Sequence, residues 1–224
     1  MSEAVRVTGL AKGYGEGPAR VEVLHGLDMG VRRGEMMAVV GPSGVGKSTL
    51  LHLLGLLDHP DSGRIELFGE DVGALNARQR AQWRNRSIGF VFQFHALLPE
   101  FTLVENVAMP LLIAGTPRGA ALRRAAPLVE AVGLALRAEH FPDQLSGGEQ
   151  QRGAVARALV AGPRLVLADE PTGNLDAANA EAVFALLREL HLSRELTSVI
   201  VTHNEALAGR CDVTLRLAGA GVGV

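Results

Sequence analysis

The stretch Gly41-Pro42-Ser43-Gly44-Val45-Gly46-Lys47-Ser48-Thr49 holds the densest chemistry in the chain. Gly41, Gly44 and Gly46 carry no Cβ, so the backbone there can curl and aim successive N–H groups at one point. Lys47 adds a cation and Ser48 a hydroxyl at the spacing G-x-x-x-x-G-K-S. That pattern suits a chain of phosphates. Backbone N–H groups cradle the oxygens, the lysine reaches the β- and γ-phosphates, and the serine hydroxyl takes one position on Mg²⁺. The pattern has this meaning only between a strand and a helix. Met36-Met37-Ala38-Val39-Val40 before it reads as a buried strand, and Leu50-Leu51-His52-Leu53-Leu54 after it as a helix. The helix start supplies further N–H groups and the positive end of a dipole.

Three more apolar runs end in polar residues. Ile88-Gly89-Phe90-Val91-Phe92 runs out at Gln93, Leu165-Val166-Leu167-Ala168 at Asp169 and Glu170, and Ser198-Val199-Ile200-Val201-Thr202 at His203. An α/β sheet presents its chemistry at the carboxyl ends of its strands. Asp169 is placed as the acidic partner of Mg²⁺ on a phosphate loop. Glu170, one residue on, can take a proton from an attacking water. Carboxylates at the end of a wholly apolar strand are costly to bury unpaired, which argues against chance. Gln93 either coordinates Mg²⁺ or positions water, or is a polar strand exit. His203 is the fourth polar residue delivered to one sheet edge.

A second glycine-rich helix start lies at Leu145-Ser146-Gly147-Gly148-Glu149-Gln150-Gln151-Arg152. Ser146 with Glu149 three residues later fits a capping box. The two glycines cost a helix about 1 kcal/mol each relative to alanine, so they point to something that approaches the backbone closely. Asp176 closes the loop Pro171-Thr172-Gly173-Asn174-Leu175-Asp176 and fits the N-cap of a helix over Ala177 to Leu190. Tyr14, the sole tyrosine, sits in Lys12-Gly13-Tyr14-Gly15, which reads as a loop. Its ring can stack on an adenine or pack on the surface.

The elements that position these residues form an α/β pattern. Alternation predicts strands over Val5–Leu10, Val21–His25 and Leu27–Val31, with turns at Gly26 and at Arg33-Gly34. Pro60–Gly63 reads as a turn, Arg64–Gly69 as a strand with its stop, and Ala77–Arg86 as a polar helix anchored by Trp83. From Phe94 to about Leu159 helical patterning takes over, with helices over Glu105–Leu112, Arg118–Val132 and Ala154–Leu159. Phe94, Leu97, Leu98 and Phe101 form an apolar loop that is either an exposed docking patch or the core of this insertion.

The chain has 224 residues and is 47% hydrophobic, enough for one large domain with a substantial core. Its 22 basic and 24 acidic residues give no reason to expect nucleic acid as a partner. The single cysteine, Cys211, excludes an internal disulfide, fits a reducing compartment and reads as small buried filler. The N-terminus lacks the layout of a signal peptide and no apolar run is long enough to span a bilayer, so a soluble protein is expected. The Gly-rich tail from Ala218 to Val224 is expected to fray.

In order, these motifs resemble the ATP-binding subunit of an ABC transporter. Gly41–Ser48 looks like Walker A, Gln93 the Q-loop, Leu145–Gln150 the signature, Leu165–Asp169 Walker B with catalytic Glu170, Asp176 the D-loop and His203 the switch histidine. The resemblance runs from about Val5 to Arg216. It implies a P-loop NTPase (RecA-like) core, about 1–93 and 160–224, with an N-terminal antiparallel β region and an α-helical subdomain over about 94–159. It also implies ATP and Mg²⁺ as ligands and Tyr14 as the adenine-stacking residue. Lys47, Gln93, Glu170 and His203 would be catalytic, and Ser48, Gln93 and Asp169 would hold Mg²⁺, partly through water. Two copies would face each other, with Ser146, Gly147, Gly148 and Asp176 of one reaching the ATP held on residues 41–49 of the other.

Gln93–Thr102, Glu105–Leu112 and Ala168–Asp176 resemble the lipoprotein-releasing (LolD-type) branch more closely, beside macrolide-exporter and FtsE-type ATPases. That branch implies a peripheral protein on the cytoplasmic face of the inner membrane. It would drive integral membrane subunits docked near Phe94–Phe101. A ribosome- or DNA-acting ABC protein fits less well, because such chains usually carry two cassettes or a long coiled coil. A division scaffold of FtsE type would share the same catalytic set. Two residues depart from the branch's usual pattern: Asn204 where an Asp is usual, and Gln150 where an Arg is often found.

Overall fold

Alternating apolar residues at the start of the chain build an antiparallel sheet. In the computed structural model, which describes residues 2–218, β1 (Glu3–Tyr14) and β2 (Val21–Arg32) are long neighbouring strands, joined by β4 (Ser62–Leu67) and the short β5 (Glu70–Asp71) in the order β2-β1-β4-β5. The second sheet is parallel, β6-β7-β8-β3-β9, made of β3 (Met36–Val40), β6 (Ile88–Val91), β7 (Leu165–Asp169), β8 (Thr197–Val201) and β9 (Val213–Arg216). Helices α1 (Lys47–Leu54), α2 (Ala77–Ser87), α3 (Leu103–Ile113), α4 (Arg118–Ala131), α5 (Gly147–Leu159), α6 (Ala177–Ser193) and α7 (Glu205–Ala208) complete the fold. Of these, α3, α4 and α5 all fall between β6 and β7.

The inner strands β3, β7 and β8 are almost wholly buried because both faces of the sheet are covered there, and β3 and the body of β7 are correspondingly apolar. Along β7, Leu165 and Leu167 enter the core shared with α1 and the antiparallel sheet, while Val166 and Ala168 enter the core shared with α3, α5 and α6. Side-chain period 2 thus makes one strand serve two cores. Phe184 of α6 is among the largest wholly buried side chains. Burying a side chain of that kind contributes about 1.5–3 kcal/mol.

Two local expectations need correction. Gly26 makes no turn: β2 runs through it. From Leu10 to Lys12 the pairing advances two residues along β1 but three along β2, and Gly26 at φ 64° takes up the extra residue as a bulge. Lys12 and Tyr14 lie on strand rather than loop, because Tyr14 still pairs with Val21. The frayed-tail expectation falls largely on 219–224, outside the described residues. Cys211 is half-buried, its thiol pushed up to about 11 by that burial, with Asp212 adding to the shift.

Candidate functional site

The register of the parallel sheet brings the polar strand ends together. Val91 pairs with Ala168, Asp169 with Val201, and Val39 with Val201. Gln93, Asp169, Glu170, His203 and the loop that opens at Gly41 therefore all leave the sheet at one edge, as the strand ends predicted.

The loop from Gly41 to α1 has the glycine geometry its sequence requires. Gly44 and Gly46 hold φ of 79° and 103°. At Gly46 an added Cβ would come within 2.9 Å of Val23 Cγ1 and Leu24 Cδ2, so the backbone lies against β2 with no room for a side chain. The carbonyl of Gly46 accepts the N–H of Leu50 at 2.8 Å and opens α1. Lys47 Nζ donates to the carbonyls of Gly41 at 2.8 Å and Pro42 at 2.9 Å, which ties the lysine across its own loop. Pro42, Ser43 and Ser48 are exposed; Val45 and Thr49 are half-buried.

Glu170 sits one residue past β7 at φ 45°, a left-handed backbone unusual for glutamate. Its N–H still bonds Val201 O at 2.9 Å, and its carbonyl accepts Gly173 N–H at 2.9 Å. The parallel ladder and the tight turn after it hold this conformation. Glu170 Oε2 lies 2.9 Å from His203 Nδ1 and accepts the His203 backbone N–H at 3.2 Å. The carboxylate side chain is 15% exposed and the imidazole 70%, so the carboxylate is sheltered and its partner faces outward. Asn204 caps α7, accepting from the N–H groups of Ala206 and Leu207. An aspartate could accept the same two bonds, so Asn204 keeps the cap that an aspartate would make.

Gln93 is paired in a way the sequence did not suggest. Its Nε2 donates to Asn174 Oδ1 at 3.2 Å, and Asn174 Nδ2 donates back to Gln93 O at 3.2 Å. Asn174 is a functional candidate that sequence reasoning passed over; its one signal was its place between Glu170 and Asp176.

Ser146 forms the expected capping box, with its N–H on Glu149 Oε2 at 2.8 Å. That bond, with the Ser146 hydroxyl, keeps the Glu149 carboxyl below its usual range. The two glycines beside it have different reasons. An added Cβ at Gly148 would lie 2.3 Å from Asn179 Oδ1, so α6 itself makes the close approach there. Gly147 is exposed, with only Leu175 Cδ2 at 3.7 Å. Asp176 caps α6 through the Asn179 N–H at 2.9 Å and also holds the Asn179 amide at 2.6 Å. Among the described residues no hydrogen bond links Ser146, Gly147 or Gly148 to the 41–49 loop.

The apolar loop after Gln93 divides. Leu97 is buried, while Phe94, Leu98 and Phe101 are 73%, 40% and 36% exposed. Wholly buried Asn106 of α3 shapes the turn: its Oδ1 accepts Leu98 N–H at 2.7 Å and its Nδ2 donates to Leu98 O at 3.0 Å and Phe101 O at 2.9 Å. Arg157 of α5 donates to the carbonyls of Ala96 at 2.5 Å and His95 at 2.8 Å. Beside this loop runs a groove of about 470 Å³ lined by Leu57, Phe90, Phe92, Pro110 and Ile113 among others.

The donor set fits a hard, oxygen-seeking cation. Ser48, Asp169 and Gln93 offer hydroxyl, carboxylate and amide oxygens, the ligands Mg²⁺ shares with phosphates. Among the described residues no group of three His, Cys, Asp or Glu could hold a metal alone.

Residues 24–173 match the family described as ABC transporter. The chain belongs to that family. It is 56% identical over 217 residues to the lipoprotein-releasing system ATP-binding protein LolD of Geobacter metallireducens, covering 97% of this chain and 96% of that protein. The LolD of Legionella pneumophila is 55% identical over 208 residues, covering 93% and 92%. Among solved structures, the dimeric post-hydrolysis state of the ATP-binding cassette MJ0796, bound to ADP and Pi, superposes with a TM-score of 0.88 at 34% identity, covering 98% of this chain and 97% of that one. The fold is that of an ABC cassette, and the chain is an ATPase of the ABC type.

Proposed function

We propose that this chain is the ATP-hydrolysing subunit of a lipoprotein-releasing ABC transporter. In this reading it is a single domain, with a core over about 1–93 and 160–224 and a helical subdomain over about 94–159. It works as an ATP-bound homodimer on the cytoplasmic face of the inner membrane. The observation that carries the chemistry is the sheltered Glu170 carboxylate held against His203 at the edge where the phosphate loop opens. The cargo is argued from likeness to LolD proteins over nearly the whole chain.

Each residue has a definite task. The N–H groups of residues 41–49 and Lys47 hold the phosphates of ATP. Ser48 and Asp169 would hold Mg²⁺, with Gln93 reaching it directly or through water, and the ion would supply charge neutralisation to the phosphates. Glu170, held through Oε2 by His203, orients a water with its other carboxylate oxygen, which takes the proton as the water oxygen attacks the γ-phosphorus, leaving ADP and phosphate. His203 keeps the carboxylate pointed at that water. Tyr14 stacks on the base. Gly147, exposed and without a side chain, offers its backbone together with Ser146, Gly148 and Asp176 to ATP on the other copy. Positioning and charge stabilisation supply most of the catalysis.

The exposed Phe94, Leu98 and Phe101 edge and the adjoining groove suit an apolar segment of a membrane subunit. Among the described residues no helix is long and apolar enough to cross a membrane. The test is to capture tagged Glu170→Gln protein from solubilised membranes with ATP and Mg²⁺ and identify what co-purifies. A membrane protein with few spans and a large extracytoplasmic domain is expected. A many-span permease, or division or ribosomal proteins alone, would contradict the lipoprotein reading and leave the ATPase chemistry intact.

A further inference from the structure

We propose that Asp58 is a positioning residue for the aromatic platform. It fixes the ring of Tyr14 by its hydroxyl and holds Lys12 over one ring face, so that a base can stack only on the other. The proposal rests on the reading of Tyr14 as the stacking residue and adds what sets its plane.

Tyr14 OH donates to Asp58 Oδ2 at 2.9 Å, and Lys12 Nζ donates to Asp58 Oδ1 at 3.0 Å and to His59 O at 2.7 Å. One carboxylate thus holds both side chains. The Lys12 side chain is only 10% exposed, and its ammonium lies 5.0 Å from the Tyr14 ring centroid. A cation there is attracted to the ring and blocks stacking on that face. Asp61 pins the same strand end, accepting Gly13 N–H at 2.8 Å and Arg20 Nη2 at 2.6 Å.

Asp58 is itself fixed to the phosphate loop. It follows α1, the helix that begins at Lys47, and the N–H groups of Leu57 and Asp58 return to His52 O of α1 at 2.9 Å and 3.4 Å. The ring plane and the phosphate cradle are therefore set by one rigid piece. An exposed tyrosine otherwise turns freely about its broad second torsion. Holding it in place removes an ordering cost from binding. Partial burial raises the Tyr14 hydroxyl above its ordinary value; Thr49 opposes this and the Asp58 bond and charge add to it.

Tyr14 is the only tyrosine, so phenolate absorbance titrates this one group. In Asp58→Asn the phenol should ionise at lower pH than in the parent. KM for ATP should rise about three- to ten-fold, the loss of one or two hydrogen bonds, with far less change in kcat. Tyr14→Phe should raise KM similarly, and the double variant should fall short of the product of the two single effects. An unmoved phenol titration, or effects that multiply independently in the double variant, would overturn the link between Asp58 and Tyr14. Tyr14→Ala separates the two readings. If it raises KM while Asp58→Asn does not, the platform stands and the positioning fails; if Tyr14→Ala leaves KM unchanged, both fail.

Discussion

A carboxylate can act as a base on water only if it is held, oriented and partly dry. Glu170 meets all three conditions through its left-handed backbone, its bonds to His203 and its low exposure. Exchange of this carboxylate for an amide keeps the shape and removes the proton acceptor. Glu170→Gln should therefore keep ATP affinity and lose about 10²-fold or more in turnover, measured as steady-state phosphate release beside nucleotide binding. Near-normal release would remove Glu170 from its role. Residues of this kind were legible in the sequence because their spacing is local: Lys47 within its glycines, and Glu170 at the end of one apolar run. Asn174 and Asp58 were not. Their partners Gln93 and Tyr14 lie 81 and 44 residues away, and only the fold brings them together.

At the scale of elements, the strands that deliver the chemistry were visible as apolar runs, since a parallel sheet covered on both faces has no polar side to hide it. The errors fell where one residue decides the path of the chain. Gly26 resembles a turn and is a bulge; Tyr14 resembles a loop residue and pairs in β1. The loop after Gln93 divided for a similar reason: hydrophobicity gave its four large residues one label, and the buried amide of Asn106 decides which of them turn outward. Asn106→Leu should leave the N–H of Leu98 and the carbonyls of Leu98 and Phe101 without that partner. The cost is about 1–3 kcal/mol, or a fall in melting temperature of roughly 2–10 °C for a chain of this size. Calorimetry checks it, and an unchanged melting temperature would show that the loop does not depend on the amide.

For the whole molecule, one buried and one half-buried histidine tie stability to pH. Burial lowers the His191 imidazole below its ordinary value; Asp212 and the Gly34 backbone oppose this and Arg188 adds to it. Burial and Arg157 lower His95 in the same direction. The unfolded chain then binds more protons than the folded one below about pH 6.5. Their contribution is fully present above that pH and is lost as the pH falls toward the lowered folded values. The melting temperature should drop between pH 7 and pH 5.5, and His191→Gln should make that slope shallower. An equally steep slope in the variant would assign the effect elsewhere.

The most direct test of the account joins the chemistry to its purpose. The chain would be reconstituted in vesicles with the membrane subunits it captures and a lipid-modified lipoprotein, and transfer of that lipoprotein to a soluble acceptor measured with ATP and Mg²⁺. The account predicts transfer that requires ATP and disappears with Glu170→Gln. Brisk ATP hydrolysis by the parent complex with no lipoprotein leaving the vesicles would contradict it.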